Sequence, residues 1–290
     1  FESGGDPDKI PELTYEAFID FYKKYYHPSN SYIYLYGKMD IDERMEYLDR
    51  EYLSGYDKQV FNNDIKHQKD QNAVIRKNEY YPVVTGTGRD GMYAAGFITG
   101  DSCDEENSLA CSVLSYILMD TNASPIRKAL TEGGFCDYAE GWYDPSMLDT
   151  VFTIAAKSAK ENAGVEFESI VTKGLSDCVK NGLDKDLVRS AVNAFDFMLS
   201  EEDFGYKPRG LYYGLKAMNI WLHKDEPFES FKFKKYISII REKAENGLFE
   251  KLIEEKMLNN PTKVFVSLQP KEGMQAESDA EEKERLEKYK

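Results

Sequence analysis

Apolar residues along this chain alternate between a helical and an extended period, and the changes mark its elements. Phe18, Phe21 and Tyr25 fall at i, i+3 and i+7 behind Thr14, a residue suited to cap a helix start, which predicts a helix over about 15–26. Pro28 stops it, because the residue before proline avoids the helical region. Residues 32–35 then read as a strand ending at Gly37. Asp40 and Glu43 form an acidic capping box for a second helix, with Met45, Leu48 and Tyr52 on one side. Residues 54–73, with Asn62, Asn63, Asp64 and a Gln/Lys/Asp cluster, read as a connector.

A longer unit follows. Residues 74–85 and 92–99 are extended in pattern, and 104–119 is helical, with Leu109, Val113, Tyr116 and Ile117 at helical spacing. A short helix opens at Ser124-Pro125 and ends at Gly133-Gly134. Strands are predicted over 135–143 and 148–156, the second apolar at nearly every alternate place. Helices are then predicted over about 163–181, 184–201, 207–222, 229–245 and 247–259, before a closing strand at 263–268 ended by Pro270. The order β-β-α-α-β-β-α-α-α-α-α-β is that of an α+β domain, a sheet with helices packed on it. In 271–290, twelve of twenty residues are charged, so this tail is expected to be a solvated helix or the start of a connector. Two units are expected, 1–70 and 74–270. The first is incomplete, since two helices and one strand supply too little sheet to bury their apolar faces.

Composition narrows the classes. A hydrophobic content of 41%, with 21 Tyr and 16 Phe among 290 residues, excludes a disordered chain. The net charge of -15 disfavours a nucleic-acid partner, which needs a basic footprint, and suits either solubility or attraction of cationic peptides. No run approaches the roughly 18–20 apolar residues of a membrane span, so no membrane partner is expected. Cys103, Cys111, Cys136 and Cys178 form no Cys-x-x-Cys pair and read as buried small hydrophobes. Their usage suits a reducing compartment, and a soluble, cytoplasmic location is the expectation. A chain that opens on Phe is expected to be a piece of a longer protein.

The chemistry-bearing motifs weigh against a catalytic centre. Gly86-Thr-Gly-Arg-Asp-Gly91 matches a dinucleotide fingerprint, but a strand pattern rather than a helix follows it, so a glycine-rich hairpin is the better reading. A nucleotide-dependent oxidoreductase is disfavoured on the same ground. His27, His67 and His223 are scattered and no two stand at i, i+4, so no metal site is expected. No Gly-x-Ser-x-Gly elbow occurs. The acidic clusters Glu201-Glu202-Asp203 and Asp225-Glu226 lie at predicted helix ends and read as solvated caps.

Ser3-Gly-Gly-Asp-Pro-Asp-Lys-Ile-Pro-Glu-Leu-Thr-Tyr-Glu-Ala-Phe18 and Tyr25-Tyr-His-Pro-Ser-Asn-Ser31 resemble the pitrilysin/insulinase zinc metallopeptidases, in the branch of the presequence proteases. Trp221-Leu-His-Lys-Asp-Glu-Pro-Phe-Glu-Ser-Phe-Lys-Phe233 and Leu258-Asn-Asn-Pro-Thr-Lys-Val-Phe-Val-Ser-Leu268 are also similar, and extend the resemblance to about Pro270. The inverted zinc motif His-x-x-Glu-His of that family is absent. The resemblance implies the C-terminal part of a first domain in 1–70, a complete non-catalytic second domain in 74–270, and the start of a charged helical connector in 271–290. It implies no catalytic residue and no cofactor in this segment, and zinc in the parent enzyme. The implied partners are the remainder of the parent chain, meaning a zinc-bearing first domain and a C-terminal half, and unstructured peptides as substrate in an enclosed chamber. By family pattern, a sheet-edge strand that pairs with substrate corresponds to Leu148, Asp149, Thr150, Val151, Phe152 and Thr153. The alternative is a metal-free scaffold or binding subunit related to these peptidases.

Overall fold

The computed structural model describes residues 4–7, 9–62, 65–68, 73–201 and 205–288. Asp8, Asn63, Asp64, the 69–72 part of the connector, Glu202 and Asp203 lie outside the described residues. The chain divides into two compact units, residues 1–64 with 208–214, and residues 65–207 with 215–290.

The smaller unit holds two helices that start as their caps dictate. Helix α1 (Tyr15–Tyr25) opens where the Thr14 hydroxyl accepts from the Ala17 N–H at 3.1 Å. Helix α2 (Ile41–Leu48) opens where the Asp40 carboxylate accepts from the N–H groups of Asp42 and Glu43. Neither helix buries a residue, and Phe18 and Phe21 of the expected apolar face stay exposed. The strand expected at 32–35 does not form among the described residues. A strand needs a neighbour to satisfy its backbone, and the described residues of this unit provide none. The segment instead packs its Tyr36 against Gly210, where an added Cβ would lie 2.5 Å from the ring.

The larger unit is one five-stranded sheet with helices on one face. Its elements are β1 (Val74–Val83), β2 (Gly91–Asp101), α3 (Glu105–Ser115), α4 (Pro125–Thr131), β3 (Cys136–Asp144), β4 (Asp149–Ala159), α5 (Gly164–Asn181), α6 (Lys185–Glu201), α7 (Arg209–Trp221), α8 (Phe233–Ala244), α9 (Leu248–Ile253), β5 (Lys263–Glu272) and α10 (Met274–Glu287). The first turns of α7 belong to the smaller unit. Helix α8 starts later than the pattern suggests, because Glu229–Phe231 forms a separate 3₁₀ turn. The charged tail is helical in α10 and buries nothing.

The strand order is β1-β5-β2-β4-β3, with β1 parallel to β5 and every other pair antiparallel. Side chains alternate between sheet faces. Tyr93, Ala95, Phe97 and Thr99 of β2 and Thr150, Phe152, Ile154 and Ala156 of β4 are therefore buried under the helices. Val113, Leu114, Ile117 and Leu118 after α3's start, and Phe167, Val171 and Leu175 of α5, meet them to form the core. The opposite face, with Met92, Ala94, Ile98, Val151, Thr153, Val264 and Val266, is half-buried.

Two expectations need correction here. The Gly86–Gly91 stretch does not join a hairpin, because β5 inserts between β1 and β2. It is a connection over the end of β5, held by Thr87, whose N–H and hydroxyl donate to the Asp90 carboxylate at 2.5 and 2.7 Å, and by Gly86, whose N–H donates to Glu272. The closing strand also runs through Pro270 to Glu272. Its pairing with β2 ends at Leu268, so a residue without an N–H is tolerated where one neighbour has stopped.

Candidate peptide-binding edge

The sheet ends in two different edges. The β1 edge carries Arg76, Lys77, Glu79 and Pro82 within ten residues, the charges and proline that blunt an edge against further pairing. Arg76 is also fixed by two hydrogen bonds to Glu168, at 2.8 and 2.5 Å. The β3 edge has no proline and no basic residue, and among the described residues it pairs with β4 alone.

The direction of the free backbone groups on β3 follows from how β4 is bonded on its other side. Leu148 O accepts from Ser102 N at 2.9 Å beside β2, and Ile98 O of β2 accepts from Asn260 on the β5 side. In an antiparallel ladder, residues alternate between facing one neighbour and facing the other. Thr150, Phe152 and Ile154 thus direct N–H and C=O toward β2, and Val151, Thr153 and Ala155 direct theirs toward Asp144, Trp142 and Glu140 of β3. Ala139, Gly141 and Tyr143 direct theirs to the free edge.

Side chains divide the same way. Ala139 is buried toward the helices, and the Tyr143 hydroxyl donates to Ser108 Oγ at 3.0 Å. Gly141 must remain glycine, since a Cβ there would meet Met119 Cγ at 2.4 Å. Tyr138 and Trp142 lie on the other face, 48% and 45% exposed. Lys157, opposite Tyr138 on β4, reaches the Glu140 carboxylate between them at 2.6 Å. At the start of the strand, Arg89 of the glycine-rich connection pairs with Asp137 at 2.8 Å.

The description "Peptidase M16 inactive domain" matches residues 12–195. The chain belongs to the M16 peptidase family. Protein HypA of Clostridium perfringens is 39% identical over 99% of this chain and 30% of its own length. Presequence protease 1, chloroplastic/mitochondrial, of Arabidopsis thaliana is 33% identical over 100% of this chain and 28% of its own length. This chain thus spans less than a third of the curated relatives it matches. Its fold is that of a protease from Helicobacter pylori, with TM-score 0.69 at 14% identity over 92% of this chain and 61% of that one. The M16 inactive domain from Pseudomonas fluorescens gives 0.67 at 16% identity, over 93% and 60%.

Within this M16 domain, the stretch expected at a sheet edge is not at one. Strand β4 is paired on both sides, with β2 and β3. Its alternating apolar pattern comes from its interior position. Thr150 and Phe152 are 0% exposed beneath the helices, while Val151 and Thr153 lie half-buried on the other face. Leu148 O accepts from Ser102 N, and Asp149 is taken up by the segment before β1. The edge signal that sequence reasoning missed is the Tyr138-x-Glu140-x-Trp142 alternation, aromatic and acidic on a face that an interior strand would make aliphatic.

Asp149 anchors a titratable contact. Its carboxylate stands 2.7 Å from His67 Nδ1 and accepts from the Gln68 N–H at 2.6 Å, while Asp101, its register partner on β2, lies 3.4 Å from His67 Nε2. His67, Gln68 and Asp149, with Glu255, Lys256 and Asn260, line a cavity of about 370 Å³. The hydrogen bond to Asp149 raises the His67 pKa above its ordinary 6.5. A raised folded-state pKa means that this contact contributes fully below about 6.5 and is lost as pH rises through the elevated value. Hydrogen exchange at the Gln68 amide, corrected for intrinsic rate, is expected to show protection that falls over that interval and a flat profile in His67→Gln. Protection independent of pH in the wild type would contradict the contact.

The residues present do not fit a catalytic metal. Among the described residues, no group of three or more His, Cys, Asp or Glu is placed to hold one. His27 serves its local turn, Nδ1 accepting from Ser29 N at 3.1 Å. The thiols make poor nucleophiles: burial pushes Cys111 up to about 12 and Cys136 and Cys178 to about 11. No described helix is long and apolar enough to cross a membrane.

Proposed function

We propose that this segment is a non-catalytic part of a longer zinc oligopeptidase, and that it helps to wall a chamber and hold an extended peptide as a sixth strand beside β3. The observation that carries this reading is the β3 edge, where the backbone groups of Ala139, Gly141 and Tyr143 face away from β4. Such an edge binds through main-chain hydrogen bonds and makes little demand on side chains, which suits an enzyme that degrades many peptides. The half-buried face with Val151 and Thr153 supplies apolar wall.

In this reading, 1–70 completes a zinc-bearing domain whose other part lies in the parent chain. Residues 74–270 form the second domain, and 271–290 begin a connector to the C-terminal half. The exposed aromatics of the smaller unit, among them Tyr15 at 74% and Tyr26 at 69%, support this, because such surface normally marks a site of burial against a partner. Zinc would activate the attacking water in that other part, and no residue described here takes a role in that step.

Titration of a fluorescent unstructured peptide with the 290-residue chain is expected to give weak, saturable binding, no bound zinc and no cleavage. Chelator-sensitive cleavage that follows the chain through purification would overturn the non-catalytic assignment. Absence of any binding would overturn the peptide-holding role.

A further inference from the structure

The side chains on the open face of β3 form a group that strand addition alone does not require. Tyr138, Glu140 and Trp142 stand on one face at a spacing of two, with the carboxylate between the two rings. Three carboxylates, Asp137, Glu140 and Asp144, lie in this nine-residue strand. Asp137 is paired with Arg89, and Asp144 accepts from Ser146 N at 2.9 Å. Among the described residues, Glu140 is met from the β4 side. There the Lys157 ammonium lies 2.6 Å from its Oε1 and 6.0 Å from the centre of the Tyr138 ring. The molecule thus displays a cation held by this carboxylate beside an aromatic ring. An ionised carboxylate accepts through two oxygens, so a second donor is accommodated from the free side.

We propose that Tyr138, Glu140 and Trp142 select, among extended peptides, those with a lysine or arginine opposite Glu140 and bulky apolar side chains two residues to either side. The inference rests on the strand-addition reading above. Directly opposed cross-strand side chains stand about 4.5–5.5 Å apart at Cβ, close enough for the cation to reach the carboxylate and both ring faces. The flanking apolar residues cover the rings of Tyr138 and Trp142, which are otherwise half-exposed. A peptide acid at the central position would oppose Glu140 and be disfavoured.

The test uses the 290-residue chain and three fluorescein-labelled peptides of the length of β3, identical except for Lys, Gln or Glu at the centre of a Phe-x-X-x-Leu core. Wild-type chain is expected to bind them in the order Lys, Gln, Glu, with the extremes separated about tenfold. Glu140→Gln should flatten the order and Glu140→Lys invert it, which separates the local effect from the general attraction of a chain of net charge -15 for cations. Trp142→Ala should weaken the Lys and Gln peptides together. Ala139→Pro, which removes an edge N–H, should weaken all three. Equal binding of the three peptides, or an order unchanged by Glu140→Lys, would overturn the selectivity and leave strand addition standing if Ala139→Pro still weakens them. Binding unaffected by Ala139→Pro would overturn both. Circular dichroism and thermal melting of each variant exclude unfolding as the cause.

Discussion

Ala139→Pro is expected to reduce peptide affinity about tenfold while leaving the domain folded. Proline removes the N–H that Ala139 directs to the free edge, and one backbone hydrogen bond has a net value of about 0.5–1.5 kcal/mol. The ring adds steric exclusion of the incoming strand. The β3–β4 ladder loses no bond, because its bonds run through Glu140, Trp142 and Asp144. Glu140→Pro is the contrasting variant. It takes a bond out of the ladder and should destabilise the domain, as proline does inside a sheet. Equilibrium peptide titration beside denaturant unfolding separates the two effects. An Ala139→Pro chain that binds as well as the wild type would show that peptides do not add at β3.

Phe152→Ala should destabilise the larger unit by about 3–5 kcal/mol, the range for removing a buried aromatic side chain. Phe152 is 0% exposed and lies in the cluster that joins β2 and β4 to the helices. The loss combines burial with the cavity left behind, since an interior this close-packed relaxes only partly. The outcome also decides what β4 is for. A strand that contacted substrate through Phe152 would lose binding with little change in stability, and a core strand loses stability first. Urea unfolding followed by tryptophan fluorescence measures this, and a change below about 1 kcal/mol would contradict the core position.

The elements were legible in the sequence because local chemistry decides them. Thr14 and Asp40 cap the helices they were expected to cap, and Ser124-Pro125 opens α4. Strand order was not legible. Five strands of similar character carry no local mark of which one closes between which, and β5 arrives more than a hundred and fifty residues after the pair it separates. That insertion turned the expected hairpin at Gly86–Gly91 into a connection. The pairing of β4 on both sides moved the edge from β4 to β3. The apolar alternation of 148–156 is what an interior strand shows, whereas an edge strand can mix aromatic and acidic residues on its open face. The strand expected at 32–35 failed for the complementary reason: its pattern is extended, but the described residues of the unit offer it no neighbour.

Residue-resolved amide hydrogen exchange of the 290-residue chain, with and without a saturating unstructured peptide, bears most directly on the role of β3. The expected result is new protection at Ala139, Gly141 and Tyr143, whose N–H groups face the free edge, with little change at Glu140 and Trp142, already bonded to β4. Protection that appears on the β1 edge instead, or that leaves the Ala139, Gly141 and Tyr143 amides exchanging as before, would contradict the account.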